Sequence, residues 1–226
     1  MTLPIHIEFL VEDASFEKFL MKFMNIDSIQ RKIREKDISY NVHSYRGLGN
    51  VINISSSKEI SIFKQITLLG NLKKLIKGYN RTFAPSQNQI DYRIMVVCDL
   101  DDKQETDFRS TLDNLLKECD NSLHVCFSFA IEELEAWFLG DINAIQKAYP
   151  NVKLQILESY VNDSICGTWE TLAKALGHDV AKLKKNPYSL TGTLKCAWAD
   201  NITPYMDINN NRSDSFNTFM ASIKKL

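Results

Sequence analysis

The chain has 226 residues, 27 basic against 28 acidic, and a formal charge of −1, with 44% hydrophobic and 10% aromatic residues but only 8 Gly and 5 Pro. This composition excludes collagen-like, low-complexity and disordered polar chains, and at this length roughly 70–75% of the unfolded surface is buried on folding. Near-neutrality argues against a general, tight DNA binder acting through charge alone.

Ile5–Val11 is apolar and β-branched and predicts a strand. Phe16, Phe19, Leu20 and Phe23 then recur at helical spacing, with Ser15 as the expected N-cap. Ile38–Tyr45 alternates as a strand does and runs into the turn signal Arg46-Gly47-Leu48-Gly49-Asn50. That loop reads as a plain turn or as a close approach to a phosphate. Leu68, Leu69, Leu72, Leu75, Ile76 and Tyr79 make one face of a helix whose polar side carries Lys73, Lys74 and Lys77. Ile94–Cys98 is a continuous apolar run, expected of a strand covered on both faces. Phe108, Leu112, Leu115 and Leu116 mark a helix, Leu123–Ile131 a strand, and the segment through Leu139 a further helix. The alternation predicts an α/β fold: a Rossmann-like core with a mostly parallel sheet and helices on both faces.

From about Asp141 helical patterns follow one another, at 142–149, 168–176, 194–202 and 215–226. Residues 1–140 are therefore expected to form the core, with 141–226 a helical appendage packed on it as a single structural unit. No run approaches the about 20 apolar residues of a membrane helix, and Glu8, Glu12 and Asp13 interrupt the apolar N-terminus. A cytoplasmic location without membrane contact is expected. Cys98, Cys119, Cys126, Cys166 and Cys196 include no C-x-x-C pair, and the four histidines are scattered, which predicts free thiols and no zinc site.

In open parallel sheets ligands bind beyond the carboxyl ends of the strands. There this chain places Glu12-Asp13, then Asp99-Leu100-Asp101-Asp102, then Glu132, Glu133 and Glu135. Asp99 and Asp101, two apart on extended backbone, are expected to point the same way. Converging carboxylates repel unless a cation lies between them, and such oxygen-rich sites suit Mg²⁺ or Mn²⁺. The plain alternative is that strand-end acids are helix caps and solvated loop residues. The D-x-D pattern also occurs in nucleotide-sugar transferases and in haloacid-dehalogenase-type phosphatases; Lys103 stands where the latter carry Thr or Val.

Ile7-Glu8-Phe9-Leu10-Val11-Glu12-Asp13 followed by Val96-Val97-Cys98-Asp99-Leu100-Asp101 resembles the Toprim pattern of a Glu after the first strand and D-x-D after a later one. Nearly the whole chain resembles the Toprim-like bacterial family catalogued as domain-of-unknown-function family 4276. The segments carrying this are Tyr45-Arg46-Gly47, the run from Phe129 to Asp141 with its E-x-x-E-A-W-F-L-x-D core, and Asn211-Arg212-Ser213-Asp214-Ser215-Phe216. The resemblance implies a Toprim core and Mg²⁺-dependent phosphodiester chemistry. It implies Glu12 as general acid/base or metal ligand, Asp99 and Asp101 as metal ligands, Asp102 as holder of a second metal, and Glu135 completing the shell. Some related Toprim nucleases work beside an ATPase in phage defence. This chain has no Walker-type G-x-x-x-x-G-K-[ST], so ATP dependence is expected to come from a partner protein. Two positions depart from the nuclease pattern: Asp13 stands where Gly is common, and Phe16 where an acid is common.

Residues 60–90 carry Lys64, Lys73, Lys74, Lys77 and Arg81 and no acid. With Arg46 they are candidates for contacting nucleic-acid phosphates, against the alternative of a solvated helix face. Trp137 and Phe138 either stack on a base or anchor a helix. Lys195 is a candidate for neutralising a transition-state phosphate, against the usual solvated lysine. The expected function is a metal-dependent nuclease. A non-catalytic Toprim-fold regulatory or binding subunit and a D-x-D nucleotide-sugar transferase are the alternatives.

Overall fold

The computed structural model describes residues 3–49, 67–119, 121–185 and 190–225. Asn50 and Lys64 lie outside the described residues. In the first half, β1 (Ile5–Val11), α1 (Ala14–Phe23), α2 (Asp27–Glu35), β2 (Ile38–Ser44), α3 (Leu68–Phe83), β3 (Asp91–Asp99), α4 (Glu105–Lys117) and β4 (His124–Ala130) alternate. Helices then follow one another: α5 (Glu135–Leu139), α6 (Ile142–Ala148), α7 (Leu154–Glu158), α8 (Thr168–Ala175), α9 (Val180–Lys185), α10 (Gly192–Ile202) and α11 (Asp214–Lys224). The α/β class expected from the sequence is the class observed. Helix α2 escaped the sequence pattern because its mostly polar surface buries only Ile29.

The four strands form one all-parallel sheet in the order β2-β1-β3-β4. Parallel neighbours need crossover connections, and here helices supply them. The two-residue period of each central strand divides its side chains between two cores. Ile5, Ile7, Phe9 and Val11 of β1, with Met95 and Val97 of β3, face one cluster that includes α1, α10 and α11. Leu10, Ile94, Val96 and Cys98 face the other, against Leu68, Leu69, Leu72 and Ile76 of α3 and Leu112 of α4.

The first cluster runs across residue 140. Trp137 and Phe138 of α5 are fully buried with Phe16 and Phe19 of α1 and Phe216 and Phe219 of α11. Trp137 Nε1 donates to Ser215 Oγ at 3.0 Å, and Asn211 Nδ2 donates to the Trp137 carbonyl at 2.8 Å. Two of the segments quoted for the family resemblance, 129–141 and 211–216, therefore dock on each other. Gly140 permits this approach: a Cβ there would collide with Asn211 Oδ1 and the Ser213 nitrogen. Trp137 and Phe138 are core anchors, and base stacking by them is set aside because neither ring reaches solvent.

Caps correct one detail. Asp13, not Ser15, caps α1, accepting from the Ser15 and Phe16 nitrogens. Ser213 caps α11 through the Phe216 nitrogen. No helix of the described residues is long and apolar enough to cross a membrane, and all five cysteines are free.

Candidate functional site

β1 leads to β2 on one side of the sheet and β3 leads to β4 on the other, so the strand order switches between β1 and β3. The crevice of an open parallel sheet lies at the carboxyl ends of such strands. Glu12 is the first residue past β1, and its N–H continues the ladder to the Val97 carbonyl at 3.2 Å. Its carboxylate accepts the Asp99 N–H at 3.0 Å, tying the two strand ends together. Asp99, the last residue of β3, is only 8% exposed, and its Oδ1 has no hydrogen-bond donor among the described residues.

A third carboxylate comes from the start of α5. Glu135 is fully buried, with no hydrogen-bond donor to either oxygen among the described residues. Lys195 of α10 supplies the cation, its Nζ 3.4 Å from Glu135 Oε2 and 3.1 Å from Glu133 Oε1. Glu12, Asp99, Glu135 and Lys195 thus come together from four elements separated by as much as 183 positions in the chain (195 − 12).

The electrostatics follow from this crowding. Burial, with Asp13 and Asp101 adding to it, raises the Glu12 carboxyl to about 7 against the pull of the Asp99 N–H. Burial likewise raises Glu135 to about 7; Lys195 pulls it down, while Glu133 and Asp13 push it up. Asp99 is held well above the usual carboxylate range by burial, then by Glu12 and Glu135, with Lys195 opposing. Burial works against the Lys195 charge, but Glu135, Asp99 and Glu133 outweigh it and hold the ammonium above its ordinary value.

Other predicted residues lie elsewhere. Asp101 does not extend β3: its φ of 53° turns the chain, its N–H bonds the Glu132 carbonyl, and its exposed side chain pairs with Lys103 at 2.6 Å. The expected same-side Asp99/Asp101 pair therefore does not form, because the strand ends at the first of the two. Asp101 still acts on Glu12 through its charge. Asp102 is exposed on the turn beyond it. Lys73 is half-buried and engaged by Glu118 at 2.6 Å, whereas Arg46, Lys74, Lys77 and Arg81 are exposed.

Several acids take the capping role weighed against a site. Asp13 caps α1. Glu132, strained at φ 60°, accepts the N–H groups of Cys166, Gly167 and Thr168 at the start of α8. Glu132→Ala is accordingly expected to cost about 1–3 kcal/mol by leaving these donors unpaired, read as a lowered urea midpoint. An unchanged midpoint would show that water replaces the carboxylate without loss.

Two features were missed in the sequence. Glu133 is the nearer carboxylate to Lys195. Glu8, 4% exposed, gathers His6 (3.0 Å), Asn41 (3.1 Å) and His43 (2.6 Å). Burial alone would raise Glu8, but these hydrogen bonds hold it below its ordinary value. The histidines look scattered in sequence. The signal that unites them is alternation in register: His6 and Glu8 on β1 lie beside Asn41 and His43 on β2.

No three His, Cys, Asp or Glu side chains among the described residues form a ready-made metal shell. The donors that do meet nevertheless fit a hard divalent cation. They are carboxylate oxygens: Asp99 Oδ1 and both Glu135 oxygens are buried without a hydrogen bond among the described residues, Glu135 Oε2 being ion-paired with Lys195. Mg²⁺ commonly takes one or two protein carboxylates and completes its shell with water and phosphate, so a protein cage is not required.

Fold and site together define an all-parallel α/β protein with buried carboxylates at the switch point of its sheet. The chain belongs to the family described as Domain of unknown function (DUF4276), whose model matches residues 12–224. No curated protein and no solved structure matches the chain.

Proposed function

We propose that the protein is a Toprim-like, Mg²⁺- or Mn²⁺-dependent phosphodiesterase acting on nucleic acid. The observation that carries this reading is the crowding of Glu12, Asp99 and Glu135 at the switch point, with buried oxygens left without donors among the described residues. Asp99 and Glu135 would hold the cation, which when bound supplies positive charge to the phosphoryl oxygens, leaving Glu12 beside them as the base. Glu12, raised to about 7, suits proton transfer at neutral pH, taking a proton from the attacking water. Lys195 keeps a fixed positive charge beside Asp99 and Glu135, placed to oppose negative charge that builds on a phosphate. Removing such a preorganised charge commonly costs about 10²–10³-fold in rate, which is the loss expected for Lys195→Met.

The test is hydrolysis of bis(p-nitrophenyl) phosphate, and of single- and double-stranded DNA and RNA, with Mg²⁺ or Mn²⁺. Activity dependent on metal and on Asp99 supports the reading. Activity that survives Asp99→Asn would come from a contaminant and would overturn it.

One observation favours the non-catalytic subunit, docked on an ATPase partner. Lys195 already neutralises part of the carboxylate charge, and Asp13 and Phe16 serve the fold where a nuclease pattern has other residues. Calorimetry separates the two: carboxylate-dependent Mn²⁺ binding favours the enzyme, and no binding favours the subunit.

A further inference from the structure

We propose that the groove between the end of β2 and α3 binds single-stranded nucleic acid and leads it to the carboxylate cluster. This rests on the phosphodiesterase reading for the fate of the strand, but the binding itself stands on the groove. The groove has a volume of about 650 Å³ and is lined by Tyr45, Arg46, Lys74, Leu75 and Tyr79 among others. That volume falls among ordinary ligand pockets of about 300–1,000 Å³.

Charge selects the occupant. Arg46 and Lys74 are the charged residues among the described lining, and both are cationic. Lys77 and Arg81 follow Lys74 at positions 3 and 7 further along α3, on the same helical face, and both are exposed. A polyanion laid along α3 meets this row, whereas Lys73 is engaged by Glu118.

The rings select single strands. Tyr45 and Tyr79 are half-buried and line the same groove. Tyr79 is held by stacking on Phe83 (5.5 Å between centroids, 20° between planes), and Phe83 stacks on Tyr92 (4.2 Å, 6°). A ring fixed in this way loses little freedom on stacking with a base. Base–aromatic stacking needs an unpaired base but tolerates any sequence, so duplex is disfavoured.

The groove's rim is also tied by its backbone to the end of β1. The Tyr45 N–H donates to the Val11 carbonyl and the Gly47 N–H to the Glu12 carbonyl, both at 3.0 Å. Gly47, at φ 83°, makes the turn that sets Arg46 on the rim. Two backbone bonds therefore fix the groove's rim beside the first carboxylate of the cluster.

The experiment is fluorescence anisotropy with a labelled thymidine oligomer of about 12 nucleotides and a blunt duplex of similar length, in Mg²⁺, using Asp99→Asn protein to prevent turnover. The single strand is expected to bind at least about 5-fold more tightly than the duplex. Arg46→Ala/Lys74→Ala should weaken binding and flatten its dependence on salt. Tyr79→Leu should weaken binding at least about 5-fold with the salt slope unchanged. The Arg46/Lys74 pair is exposed, so it tests the groove even if Tyr79→Leu fails to fold. Equal binding of duplex, or wild-type affinity in the double variant, would overturn the proposal. So would a polyglutamate peptide competing as well as the oligomer. Wild-type hydrolysis of bis(p-nitrophenyl) phosphate separates the two ideas. Hydrolysis without oligomer binding sinks the groove alone, and groove-dependent binding without any hydrolysis sinks the phosphodiesterase alone.

Discussion

At pH 8 and without divalent metal, Asp99→Asn is expected to be more stable than the wild-type protein, by on the order of 1–3 kcal/mol, while losing at least about 10²-fold of any metal-dependent hydrolysis. The physical reason is that an acid whose ionised form is disfavoured by burial and like neighbours is being replaced by a neutral amide. Asp99 lies at 8% exposure beside Glu12 and Glu135. The pH dependence has a definite sign. Burial raises Glu12 and Glu135 to about 7 in the fold, above their ordinary value near 4.5, so between these limits the native state holds more protons than the unfolded chain. Stability therefore falls as pH rises from about 4.5 through 7, and Asp99, held well above the carboxylate range, extends the decline. Thermal melts at pH 5, 6, 7 and 8 read this decline, and it should be shallower in Asp99→Asn because one repelling partner is gone. Mn²⁺ should raise the wild-type melting temperature at pH 8, more weakly at pH 5 where protons compete, and leave the variant little changed. A wild-type melting temperature that rises between pH 5 and 8 in metal-free buffer would contradict the proposed repulsion. A variant less stable than wild type at pH 8 would instead show Asp99 serving the fold.

Trp137→Ala is expected to cost about 3–5 kcal/mol, the range for removing a large buried aromatic. For a chain of this size that lowers the melting temperature by about 6–20 °C. The indole is fully buried, with ring centroids 5.2 Å from Phe19, 4.9 Å from Phe219, 5.7 Å from Phe216 and 5.9 Å from Phe16. These rings come from α1 and α11, so the cavity would open where the first and last helices meet under α5. The variant also removes the bond from Nε1 to the Ser215 hydroxyl, which still donates to Asp163 Oδ1. Urea unfolding measures the loss. A cost below about 1 kcal/mol would mean that the α5–α11 contact is not part of the cooperative core.

These two outcomes distinguish what the family-like segments do. Trp137 and Glu135 sit two residues apart, yet one is expected to stabilise the protein strongly and the other adds buried charge. Stability given up at Glu135 and Asp99 is the usual mark of residues retained for binding or chemistry. Stability concentrated at Trp137, Gly140 and Asn211 explains the rest of the pattern without invoking a ligand.

Much of the scaffold was legible in the sequence because its signals are local. The apolar, β-branched run Ile5–Val11, the apolar run at Ile94–Cys98 and the helical spacing of Phe16, Phe19, Leu20 and Phe23 each reflect one element meeting the core. Those periods fix side-chain direction, so they determined the α/β class and put Glu12 and Asp99 at strand ends. Three things were not local. The parting of Asp99 from Asp101 depends on a single positive φ where β3 stops, and no two-residue pattern reports that. The choice between cap and site for each acid depends on which N–H groups lie nearby: Asp13 and Glu132 found helix starts, while Asp99 and Glu135 found each other. Lys195 and the Glu8–His43 pair are brought to their partners by helix packing and by parallel register. By itself, then, the sequence determined the class of fold and the end of the sheet on which a site can form. Which carboxylates share a buried space, and with which cation, was decided only by tertiary packing, because a carboxylate's charge state and partners depend on what surrounds it in space.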